Sequence, residues 1–122
     1  MNDAMAGGFI GGGAMLVCGF FIMWMGSRMA DRRFKRNKWA GIRTPSTMKS
    51  DEAWYVAHDA GAPLMSAAGT LGAAGGLTGI VAALLGASEG LVVGLILGGV
   101  VLMSLLLIAA TVRGARAARR VE

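Results

Sequence analysis

One cysteine, one histidine, one tyrosine and two prolines are all that 122 residues contain of those types. Cys18 has no second cysteine to pair with, so no intrachain disulfide is available and cysteine usage says nothing about redox compartment. One histidine and one cysteine, on separate parts of the chain, cannot supply the three or four ligands of a metal centre. Charge is also scarce: 16% of residues are Asp, Glu, Lys or Arg, against about 25% in an average soluble domain. No serine has an obvious base beside it. His58 and Asp59 are sequence neighbours whose side chains diverge on a helix, so the arrangement of a hydrolytic triad is missing. No glycine-rich phosphate loop follows a strand, because no strand pattern is present. These absences argue against an enzyme, a metal site and a cofactor.

What the chain has in excess is apolar residues, 55% of the total, with a mean hydropathy of +0.59. They fall in three runs free of charge, Ala4 to Ser27, Ala60 to Ser88 and Gly90 to Val112. About 20 residues of helix cross a hydrocarbon core of about 30 Å, so each run is long enough to span. A membrane barrel would instead show many short alternating segments. The expected fold is therefore all-α: an integral membrane protein of three transmembrane helices, at about residues 4–27, 60–86 and 90–112, forming a single domain over residues 1–122. The first run is read as a span and not a cleaved leader, since "MNDAMAGG" lacks Lys and Arg and the apolar stretch is too long.

The basic residues set the expected topology. Eight of the twelve lie in the loop 28–59, at Arg28, Arg32, Arg33, Lys35, Arg36, Lys38, Arg43 and Lys49. The other four, Arg113, Arg116, Arg119 and Arg120, fall in the C-terminal tail 113–122. The N-terminal residues and the "GASEG" turn hold none. By the positive-inside rule the N-terminus is outside, while the long loop and the C-terminus are cytoplasmic. The same rule reads the net charge of +5 as contact with anionic lipids beside the spans, not with nucleic acid.

Glycine is the next surplus, 20 residues. Pairs four apart let membrane helices approach closely, and they occur in every span: Gly8 and Gly12, Gly72 and Gly76, and the row Gly90, Gly94, Gly98. The expected bundle is a hairpin plus one helix, with glycine faces left for a second copy or another membrane protein. No ionisable residue lies inside a span, which argues against a small multidrug-type transporter.

The least predictable stretch is "NKWAGIRTPSTMKSDEAWYVAH", residues 37–58. Gly41, Thr44 and Pro45 favour a tight, ordered turn. Ser50, followed by Asp51 and Glu52, is a helix N-cap. The helix beginning there is expected to lie first along the interface, with Trp54, Tyr55 and His58 partly among headgroups. It then bends or breaks at Pro63 as it enters the second span. Asp51, Trp54 or Tyr55, and His58 recur on one face, so an arginine, a threonine, an acid, an aromatic and a histidine are expected to converge into a binding site.

This segment resembles the signature of the SdpI family of small multi-span bacterial membrane proteins. The matching positions are Asn37, Trp39, Gly41, Arg43, Thr44, Pro45, Thr47, Ser50, Trp54 and His58. The two following spans agree in pattern, so the resemblance covers about the last two-thirds of the chain. It implies a non-enzymatic protein of the bacterial cytoplasmic membrane with its site at the cytoplasmic boundary. The best-known member is an immunity protein against a secreted killing peptide, which also holds a transcriptional repressor at the membrane. A peptide toxin and protection from envelope stress are thus among the expected partners and uses. The rival expectation is a small accessory subunit of a larger membrane enzyme complex, held by its glycine faces.

Overall fold

The computed structural model describes residues 2–122. Three helices are long and apolar enough to cross a membrane, and no strand occurs among the described residues. Helix α1 runs over Asp3–Ala30. It is opened by Asn2, whose side chain accepts from the Met5 N–H at 2.8 Å, and it loosens to a π-helical turn over Gly8–Gly12. The one-turn helix α2, Pro45–Met48, follows the loop. Helix α3 covers Asp51–Leu84 and α4 covers Glu89–Arg119. Ser50 caps α3 through the Ala53 N–H, 3.1 Å away, and Ser88 caps α4 through the Leu91 N–H at 3.2 Å. Gly86 turns the chain between α3 and α4 with φ +77°, a conformation other residues rarely adopt.

Helix α3 is the centre, with α1 on one side and α4 on the other, both antiparallel to it. The contacts are made by small residues at backbone distance, as expected where lipid offers no hydrophobic gain from association. A Cβ added at Gly12 would lie 2.7 Å from the Gly76 carbonyl, and one at Gly19 would lie 2.4 Å from the Ala73 nitrogen. On the other side, a Cβ on Gly75 would meet the Gly99 Cα at 2.7 Å, and one on Gly72 would meet the Met103 sulfur at 2.5 Å. Gly8 packs in the same way against Ala83. Gly90, Gly94 and Gly98 behave differently, since nothing lies within 4 Å of where their Cβ atoms would be. They are exposed, Gly94 and Gly98 at the edge of a groove between α3 and α4, and Gly99 makes the close approach to α3.

The helices outrun the uncharged segments, because capping and backbone hydrogen bonding continue past the point where charge begins. The expected C-terminal tail is helical as far as Arg119. The expected loop 28–59 gives up its first residues to α1 and its last nine to α3. Helix α3 continues through Pro63 without a break, so the residues from Asp51 form its first turns. Trp54 and His58 are buried within the protein, 0% and 1% exposed, because the loop folds back over them.

At an incline of about 1.5 Å per residue, α3 and α4 are each longer than the hydrocarbon core is thick. All twelve basic residues gather at one end of the bundle, formed by the end of α1, the loop, the start of α3 and the end of α4. Lys49 donates to the Val121 carbonyl there, tying the loop to the C-terminal residues.

Candidate functional site

The ordered part of the loop is built outward from one buried ring. His58 Nε2 accepts the Ile42 N–H at 3.0 Å. An amide can only donate, so the imidazole is neutral with its proton on Nδ1, which donates to the Trp54 carbonyl at 2.7 Å. Both ring nitrogens are thereby committed. The His58 ring stacks on Trp54 with centroids 4.0 Å apart, and Phe34 covers both at 5.8 Å from Trp54 and 5.6 Å from His58. The Trp54 indole Nε1 donates back to the Phe34 carbonyl at 2.7 Å. Helix α3 thus presents two side chains one turn apart, and the loop closes on them from both ends.

Gly41 is required at the point of closest approach. Its φ is +106°, and a Cβ would stand 2.8 Å from His58 Nε2 and 3.0 Å from Trp54 Cη2. The next residue, Ile42, is 2% exposed and enters the seam between α3 and α4. A Cβ on Gly61 of α3 would meet Ile42 Cδ1 at 2.7 Å, and one on Gly114 of α4 at 2.8 Å. Two glycines therefore leave a socket that one loop isoleucine fills.

The loop's own turns hold this arrangement. Asn37 Oδ1 accepts the N–H groups of Trp39 and Ala40 at 2.8 and 2.9 Å, and its amide nitrogen donates to the Lys35 carbonyl at 2.9 Å. Arg43 is exposed and donates to the Lys38 carbonyl, closing the segment between them. Thr44 and Thr47 form a reciprocal capping box around Pro45 at the first position of α2. The buried Thr47 hydroxyl also donates to the Ile42 carbonyl at 2.7 Å, so both backbone polar groups of Ile42 are satisfied. Arg36 bridges the Met48 carbonyl at 2.9 Å and Asp51 at 3.2 Å. Arg32 pairs with Asp59 through two contacts of 2.7 and 3.0 Å.

The residues expected to converge therefore part company. Gly41, Thr47, Trp54 and His58 face inward and lock the loop. Asn37, Thr44, Pro45 and Ser50 shape its turns and caps. Asp51 pairs with Arg36, away from His58, and Arg43 braces the loop from outside. Trp39 stands alone, 87% exposed. Phe34, Ile42, Gly61 and Gly114 were not singled out from the sequence, although a lone aromatic in "RRFKR" and a lone aliphatic in "GIRTP" are visible signals.

Chemically the interior is saturated. Among the described residues no buried side-chain nitrogen or oxygen lacks a partner, and no cluster of metal-ligating side chains occurs. Within the loop, what remains available to another molecule is its outer side.

The family model described as the SdpI/YfhL protein family matches residues 33–112, which takes in the loop from Arg33, all of α3 and most of α4. No curated protein and no solved structure matches the chain. With about two-thirds of its length matched, the chain belongs to the SdpI/YfhL protein family.

Proposed function

We propose that this protein is a non-enzymatic SdpI-like protein of the bacterial cytoplasmic membrane, with the N-terminus outside and the basic end cytoplasmic. Its outer loop surface binds a partner at that boundary, in immunity to a membrane-active peptide or protection from envelope stress. The observation that carries this reading is Trp39. It is a large aromatic left 87% exposed on a turn fixed by three Asn37 hydrogen bonds. A preorganised loop loses little freedom on binding, and an exposed tryptophan on it is the kind of residue that dominates an interface. The basic gathering at one end supports the orientation, and the saturated interior supports a binding role over a catalytic one.

The test is protection of a susceptible bacterium from a membrane-active peptide. Trp39→Ala should abolish protection by the wild-type protein while leaving insertion and protein level unchanged. Full protection by Trp39→Ala would contradict the reading.

A second reading has its own support in Gly90, Gly94 and Gly98, which leave one side of α4 open to close approach. On this reading the chain is an accessory subunit of a larger membrane enzyme complex. Gentle extraction would then recover it in stoichiometric association with that complex, and Gly94→Leu would release it. Recovery alone, or as a homo-oligomer, would count against the subunit role.

A further inference from the structure

A cleft of about 630 Å³ opens between α3 and α4 at the basic end. Its floor is apolar, formed by Ala60 on α3 with Ala109 and Val112 on α4. Its rim is Arg113, Arg116 and Arg120, which recur on one face of α4 at helical spacing. Ion pairs among the described residues are Arg32–Asp59 and Arg36–Asp51, and none of the three rim guanidiniums takes part in one. Glu52, on the preceding turns of α3, forms no ion pair with them either. Arg113 directly follows the last uncharged residue of the third span. The floor therefore lies at the depth of acyl chains and the rim at the depth of headgroups. From Arg113 to Arg120 the rise is about 10 Å.

We propose that this cleft is a site for the phosphate headgroup of an anionic phospholipid, with an acyl chain lying on the alanine floor. Three unpaired cations at one mouth attract the single negative charge of a phosphodiester and can donate to its oxygens, and the apolar floor continues into the membrane. This is the form of a basic interhelical lipid site. The site is distinct from the outer loop surface and does not depend on the loop having a partner.

The test uses the full chain in phosphatidylcholine nanodiscs with a graded fraction of phosphatidylglycerol, reading retained lipid by native mass spectrometry. Wild type should retain phosphatidylglycerol over phosphatidylcholine. Arg116→Gln should weaken retention about fivefold, the effect of about 1 kcal/mol per arginine. Arg119→Gln removes the same charge one turn from the rim but outside the cleft, and should stay close to wild type. Ala109→Phe keeps every charge, fills the floor at an exposed position, and should also weaken retention. Unchanged helical circular dichroism would show that each variant is folded. Equal weakening by Arg119→Gln and Arg116→Gln would overturn the site in favour of diffuse attraction. Displacement of the lipid by millimolar inorganic phosphate, or no effect of Ala109→Phe, would overturn the role of the lipid chain.

Discussion

Replacing Gly41 by alanine should detach the loop without unfolding the bundle. At φ +106° an alanine is strained by about 1–3 kcal/mol. Its Cβ would also stand 2.8 Å from His58 Nε2 and 3.0 Å from Trp54 Cη2. Neither ring can yield easily, since both are buried, they stack at 4.0 Å, and Nε2 already holds the Ile42 N–H. Crowding in a packed site adds about 1–3 kcal/mol, for a total of about 2–6 kcal/mol. Because both rings belong to α3, the loop is what moves. Hydrogen exchange of the full chain in nanodiscs, read by mass spectrometry, measures this at the Ile42 amide. A loss of 2 kcal/mol or more raises exchange there about 30-fold or more. Gly86→Ala is the control for strain alone, because its φ is +77° with nothing within 4 Å of a Cβ. It should affect only the α3–α4 turn. Exchange at Ile42 within about fivefold of wild type in Gly41→Ala would mean that close approach at Gly41 does not hold the loop.

Other substitutions separate the remaining contributions. Thr47→Val removes the buried hydroxyl that bonds Ile42 and Thr44, costing about 1–3 kcal/mol; exchange should rise across α2, with Thr47→Ser restoring protection. Gly75→Leu drives a side chain into the Gly99 backbone and should lower the melting temperature in detergent, whereas Gly98→Leu meets nothing and should leave the isolated chain as stable as wild type. Arg32→Ala should cost less than about 1 kcal/mol and less still in high salt, because the pair with Asp59 is largely solvated, at 55% and 36% exposure.

The three spans were legible in the sequence because length and freedom from charge are what a bilayer demands, and neither depends on tertiary contacts. The Ser50 cap was legible for a similar reason, being a local hydrogen bond with a local signature. The close approaches at Gly8, Gly12, Gly72 and Gly76 followed from small-residue spacing, but spacing cannot tell which way a row faces. That is why Gly90, Gly94 and Gly98 read like the others although nothing packs on them, and why Gly99 was overlooked. Pro63 looked like a possible end of the helix because proline removes one hydrogen bond, yet α3 runs through it unbroken. The inward lock was hidden for a different reason. Its partners, Phe34, Ile42, Trp54, His58 and Gly114, are distant in sequence and meet only when the loop folds back. A tryptophan and a histidine beside a span look like interface residues until that loop covers them.

The signature segment is an internal lock turned on His58. The direct measurement is nitrogen-15 NMR of the histidine ring in the full chain in nanodiscs, at neutral pH. The lock requires a neutral ring protonated at Nδ1, with Nε2 coupled through a hydrogen bond to the Ile42 amide. A ring protonated at Nε2, or an Ile42 amide with no coupling to it, would contradict the lock.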